Sequence, residues 1–256
     1  MTDIKSAFQN GKAFIPFVTA GDPDLETTEK LLIEMSKNGA DIIEIGIPFS
    51  DPIAEGVVIQ EADLRSLAAG TTTDKIFDMV KRIRPQIKAA LAVMTYMNPI
   101  FVYGTDAFMA KCEECGISAV IVPDVPFEEK AELQPYCDKH GVELVSLIAP
   151  TSHDRIKTIA KEAQGFVYCV SSMGVTGVRK EITTNIGEMV DLVRSVSDTP
   201  CAVGFGISTP EQAKKMSESA DGVIVGSAIV KIVAKYGKDC IKPVCDYVKS
   251  MKEAIS

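Results

Sequence analysis

The chain has 256 residues, 46% of them hydrophobic, which is material for one large core; a barrel of alternating strands and helices ordinarily takes ~250 residues. A formal net charge of −8 with no Lys/Arg run excludes binding along a nucleic-acid backbone, and no window of ~18 uncharged apolar residues exists to span a membrane. Seven scattered cysteines, a single C-x-x-C (Cys112 and Cys115) and only two histidines, His140 and His153, argue against a disulfide framework and against a metal site. With no apolar signal core after Met1, a cytoplasmic protein with reduced thiols is the expectation.

In chain order, the first ten residues predict a short helix. Apolar runs then predict strands over 14–20, 41–47, 90–96, 118–123, 142–149, 166–170, 201–205 and 222–225. Between them apolar residues recur at helical spacing, as in Leu31, Leu32 and Met35 or Ile76, Phe77, Met79 and Val80. Start signals stand at Asp22-Pro23, Thr73-Asp74 and Ser208-Thr209-Pro210-Glu211, and helices stop near Gly39 and Gly116. An extra helix over 57–68 precedes the main helix after strand two. Eight β-α units in succession predict one α/β domain over residues 1–256, a closed (β/α)8 TIM barrel. The alternative, an open doubly wound sheet, would carry a glycine-rich fingerprint after the first strand, where this chain reads Thr19-Ala-Gly-Asp-Pro23.

Strand two carries Glu44 among Ile42, Ile43, Ile45 and Ile47. Alternation places Ile43 and Ile45 on one face and Ile42, Glu44 and Gly46 on the other. If the isoleucines face the helices, Glu44 points into the barrel mouth. A carboxyl held there loses hydration and keeps its proton to higher pH, which suits an acid/base catalyst. A structural ion pair with a buried Lys or Arg is the competing reading at this point. The loop over 48–56 brings further acids, Asp51 and Glu55, over the same mouth.

Three glycine clusters follow strands six, seven and eight: Gly174-Val-Thr-Gly177, Gly204-Phe-Gly-Ile-Ser208 and Gly226-Ser227, the last opening a helix. Glycine amides and a helix amino end hold a phosphate without needing Lys or Arg, and barrels use the loops after strands seven and eight for this. Together they predict a small phosphate ester as ligand.

Phe14-Ile-Pro-Phe-Val-Thr-Ala-Gly-Asp-Pro23, Glu44-Ile-Gly-Ile-Pro-Phe-Ser-Asp-Pro52 and the three glycine clusters, in this order, closely resemble the tryptophan synthase alpha subunit family over nearly the whole chain. The resemblance implies a carbon–carbon lyase of tryptophan biosynthesis, splitting indole-3-glycerol phosphate by retro-aldol cleavage into indole and glyceraldehyde 3-phosphate. It implies no cofactor and no metal in this chain. Pyridoxal phosphate belongs to the beta subunit, with which the chain is expected to form an α2β2 complex. Glu44 matches the family's catalytic Glu. Glu55 stands where a second carboxylate, usually Asp, faces the indole N–H, and Val57 stands where Pro is usual. These two departures predict modest or strongly partner-dependent intrinsic activity, with Asp51 or Asp124 as alternative holders of the second-carboxylate role. Phe17, Tyr96, Asp124, Leu147, Tyr168, Thr176 and Phe205 match the substrate site, and Gly177, Gly206, Gly226 and Ser227 the phosphate site. Thr176 belongs to a loop expected to close as a lid. Pro48, Phe49, Asp51 and Ile53 match the face that docks on the beta subunit. A sugar-phosphate isomerase or epimerase, and a weakly active barrel that mainly activates a beta partner, are the competing readings.

Overall fold

In the computed structural model, which describes residues 4–170, 186–204 and 206–256, strands and helices alternate along the chain. A 3-10 helix, Ile4–Phe8, leads into β1 (Ala13–Thr19) and α1 (Leu25–Lys37). Next come β2 (Ile42–Gly46), α2 (Val57–Ala68), α3 (Thr73–Ile83), β3 (Ala90–Met94), α4 (Met97–Tyr103), α5 (Thr105–Glu114) and β4 (Ala119–Ile121). The chain continues through α6 (Gln134–His140), β5 (Glu143–Ile148), α7 (His153–Lys161), β6 (Gln164–Val170) and α8 (Ile186–Arg194). It ends with β7 (Cys201–Gly204), α9 (Pro210–Ser217), β8 (Gly222–Val225), α10 (Ser227–Tyr236) and α11 (Ile241–Ile255). Each strand pairs in parallel with the next and β8 returns to β1, closing the barrel. All eight predicted strands form, and so does the extra helix α2. The leading helix is 3-10 rather than α, and several strands stop short of their predicted ends, as β4 does at Ile121.

Strand alternation sorts the side chains into two apolar layers. Phe14, Val18, Ile43, Ile45, Leu91, Val93, Val203 and Val223 face outward onto Leu31, Leu32, Met35, Phe77 and Val80 of the helices. Ile15, Phe17, Ile42, Ala92, Met94, Phe166, Tyr168 and Ile224 fill the interior. Ile43 and Ile45 therefore do face the helical layer, which turns Glu44 inward. The amino end of the barrel is closed by the 3-10 helix: Ile4 and Phe8 join the interior cluster, and the Phe8 ring lies 5.9 Å from that of Phe166.

Start signals were displaced by one or two residues in two of three helices. Asp24, not Asp22, caps α1 by accepting from the Thr27 amide at 2.8 Å, and Thr72, not Thr73, caps α3. Thr209 caps α9 in a full capping box with Gln212. Asp22 instead accepts from both Nε and Nη2 of Arg65 at 2.8 Å, while Ser66 Oγ donates to the Ala20 carbonyl at 2.6 Å. These bonds tie α2 to the carboxyl end of β1. All seven cysteines are buried free thiols, and no three His, Cys, Asp or Glu side chains converge as a metal-ligand group among the described residues. No described helix is long and apolar enough to cross a membrane.

Candidate active site

Glu44 sits midway along β2, in register with Phe17 of β1 and Ala92 of β3. It is 1% exposed, and neither carboxyl oxygen has a hydrogen-bond partner among the described residues. The ion-pair reading therefore finds no support there: no described cation pairs with it. Burial, seconded by the nearby charge of Glu55, pushes its pKa up to about 8. A carboxyl in this state holds a proton at neutral pH and can give it up or take it back. Gly46, two residues on, lets the Phe17 ring tuck beneath the strand end, because a Cβ at that position would meet the ring at 2.5 Å.

The loop after β2 folds Glu55 into the same mouth, where it is 6% exposed. Burial raises its pKa, while hydrogen bonds from Asp63 and Tyr96 favour its charged form. One of its oxygens has no partner among the described residues. Val57 opens α2 at the first helical position, where Pro would preset the backbone, and it projects into solvent.

Asp63 was not singled out from the sequence. It lies on the buried stripe of α2 formed by Ile59, Ala62, Asp63 and Ser66. Burial, then the charge and hydrogen bond of Glu55, raise its pKa. The available signal was positional: an acid four residues after Ile59 falls on the helix's inward face. The alternative second carboxylates have partners of their own. Asp51 is exposed and accepts from Ser50, and Asp124 accepts from the Met97 amide at 3.0 and 3.2 Å with its two oxygens. Asp124 thus holds the first amide of α4 and fixes the residue before it, Tyr96.

Tyr96 is buried, its ring 5.5 Å from that of Phe49, and its hydroxyl accepts from the Ala54 amide at 3.1 Å. Burial raises its phenol's pKa. Phe17 and Tyr168 line the interior, and half-buried Leu147 packs against them, in register with Tyr168. The Tyr168 phenol is raised by burial and by Glu44. A Cβ on Gly204 would lie 2.6 Å from that ring, so β7 needs glycine where it passes Tyr168. Thr176, Gly177 and Phe205 lie outside the described residues. Gly206 has φ +84°, open to glycine at little cost, and Gly226 precedes α10, whose first turn, begun by Ser227, carries no acid. That helix start presents free amides to an anion.

The expected docking residues divide. Ile53 is 73% exposed and Asp51 is exposed, but Phe49 is half-buried against Tyr96, and Pro48 is buried. Pro48, two residues past the end of β2, is buried in the isolated chain. Phe101 and Val102 of α4, the helix that follows β3, are 71% and 77% exposed.

The model of the family "Tryptophan synthase alpha chain" matches residues 4–256. The tryptophan synthase alpha chain of Lacticaseibacillus casei is 45% identical over 255 residues, spanning 100% of this chain and 96% of that protein. That of Picosynechococcus is 45% identical over 267 residues, with 100% of both chains covered. Among solved structures, the Legionella pneumophila tryptophan synthase alpha chain superposes with TM-score 0.88 at 35% identity, covering 100% of this chain and 97% of that one. A Mycobacterium tuberculosis tryptophan synthase chain gives TM-score 0.89 at 30% identity, covering 98% and 97%.

Proposed function

The chain belongs to the tryptophan synthase alpha chain family, and on that premise we propose that Glu44 is its acid/base and Glu55 the carboxylate that meets the indole N–H. The reaction is the lyase step of tryptophan biosynthesis, cleavage of indole-3-glycerol phosphate to indole and glyceraldehyde 3-phosphate. Glu44, protonated at neutral pH, gives its proton to indole C3, which breaks the aromaticity of the five-membered ring and leaves positive charge on N1. The Glu44 carboxylate then takes the proton of the hydroxyl on the carbon attached to C3. The bond between these carbons breaks, its electrons return to the ring, and Glu44 ends protonated as it began. The unpartnered Glu55 oxygen faces the developing charge on N1.

Phe17, Tyr96, Leu147 and Tyr168 would hold the ring, with Asp124 acting through Tyr96. The amides of Gly206, Gly226 and Ser227, with Gly177, would hold the phosphate, and Thr176 and Phe205 complete the substrate site. No step requires a cofactor or a metal in this chain. Family membership implies a beta-subunit partner. Its docking face is proposed to be the loop residues Pro48, Phe49, Asp51 and Ile53, extended by Phe101 and Val102, in an α2β2 assembly that carries pyridoxal phosphate in the beta subunit only. The chain works as one barrel domain, in the cytoplasm.

The carrying observation is a fully buried carboxyl in a barrel mouth, with both oxygens unpartnered among the described residues. The test is indole release from indole-3-glycerol phosphate, with and without a beta subunit, by the parent and by Glu44→Gln. Indole formation that survives Glu44→Gln removes Glu44 from the mechanism. Equal rates with and without the partner contradict the expected partner dependence.

A further inference from the structure

We infer that Asp63, reaching in from α2, shares one proton with Glu55 and acts as the positioning residue that aims the Glu55 carboxylate at the ring nitrogen. This rests on the assignment of Glu55 above. The two side chains are hydrogen-bonded, 4% and 6% exposed, and no cation meets either among the described residues. Two buried carboxyls in contact, with no cation beside them among the described residues, strongly disfavour double ionisation, so one proton stays between them. The proton is assigned to Asp63, because the Glu55 charge lying against it outweighs the Phe49 amide and Thr19 hydroxyl that favour an ionised Asp63. Asp63 O–H then donates to one Glu55 oxygen. The other Glu55 oxygen is the one without a partner among the described residues.

This arrangement answers the length of Glu55. Glu is one methylene longer than the Asp usual in the family, about 1.5 Å of added reach, with one more torsion to fix. The extra length carries the carboxyl to α2, where Asp63 and Tyr96 hold it. Asp63 itself is fixed by its helix: Ser66 and Arg65 anchor α2 to the end of β1 through Ala20 and Asp22. The groups facing the pair are Glu44 from β2, Tyr96 from the head of α4, the Thr19 hydroxyl from β1 and the Phe49 amide from the loop. Arg65, two residues along α2, is already engaged by Asp22. When pH rises enough to remove the shared proton, two adjacent negative charges repel and Glu55 loses its hold. Glu44 loses its own proton in the same region, so the parent should lose activity at high pH through more than one deprotonation.

The test compares parent, Asp63→Asn, Asp63→Ala and Glu55→Gln as full chains with the beta subunit. The readouts are kcat and KM for indole formation from pH 6 to 10, and the infrared carbonyl stretch of protonated carboxyls. Asp63→Ala is expected to lower kcat ~10- to 100-fold, more than it changes KM, since a small misplacement of a reacting group costs about that much. Asp63→Asn should recover much of that loss near pH 7, because its amide still donates to Glu55. It should also show a shallower alkaline limb, by one proton, and lack one carboxylic-acid band. Parent kcat in Asp63→Ala at every pH, or an unchanged set of acid bands in Asp63→Asn, overturns the shared proton. Should Asp63→Ala fail to fold, the isosteric Asn variant and its infrared bands still decide. Parent kcat in Glu55→Gln would remove the assignment of Glu55 itself. Loss of activity in Glu55→Gln, with parent values in both Asp63 variants, would remove only the role of Asp63.

Discussion

The two ends of the barrel use buried space in opposite ways. At the amino end, Ile4 and Phe8 press into the interior against Phe166, and the plug is apolar contact. At the carboxyl end, Glu44, Glu55 and Asp63 are buried almost as deeply, yet three of their oxygens have no partner among the described residues. The plug gains stability from each side chain it hides, about 1.5–3 kcal/mol for a large one. The mouth gives stability up, because a buried carboxyl without a cation must hold its proton or suffer the loss of its hydration. One fold thus stores stability at one end and draws on it at the other, where the cost leaves an acid that keeps its proton at neutral pH.

The sharpest way to break this contrast is Glu44→Gln, which removes the proton that moves; kcat for indole formation should fall ~100- to 10,000-fold while the barrel stays folded. The same substitution should reveal the stability withheld at the mouth. With its pKa raised from 4.5 to about 8, Glu44 binds its proton more tightly when folded than when unfolded. Its contribution is therefore fully present below pH 4.5 and is lost as pH rises to about 8, with no further change above. Urea denaturation at pH 5 and pH 8 should show Glu44→Gln gaining on the parent by up to about 4 kcal/mol across that window. A constant gap would mean the carboxyl is not buried as an acid.

At the other end, Phe8→Ala should cost about 3 kcal/mol in the same assay and leave the pH profile of indole formation unmoved. A shifted pH profile would mean the two ends are coupled through the interior. The smallest effect is expected at Asp124, whose oxygens, among the described residues, meet the mouth through the Met97 amide. Asp124→Asn should cost about 1 kcal/mol in stability and slow indole formation by a few-fold, since one good acceptor remains. A loss as large as that of Glu44→Gln would place Asp124 among the reacting groups.

The barrel was legible because its signals are local and repeated. Each strand is a short apolar run, and each helix between strands shows its stripe within a dozen residues, as in Ile76, Phe77, Met79 and Val80. Glu44 was legible for the same reason: period two put it opposite Ile43 and Ile45, and a charge on that face has few structural uses. The choice of Glu55 and of the glycines proposed for phosphate came from motif order and resemblance rather than from periodicity. Helix starts were readable to within a residue or two, since Asp22 and Asp24 are both chemically fit to cap α1 and only geometry gives Asp22 to Arg65 instead.

Chain pattern alone determined which residues form the barrel and which carboxylate stands inside it, because backbone hydrogen bonding and side-chain alternation are set by near neighbours. Only the tertiary structure decided what that carboxylate sits beside. Asp63 meets Glu55 because α2 is tied back to β1 through Arg65–Asp22 and Ser66–Ala20. Pro48 is buried beside the end of β2, while Phe101 is exposed on α4. Such contacts join residues distant in sequence, and their energy depends on shared burial, which no local spacing encodes.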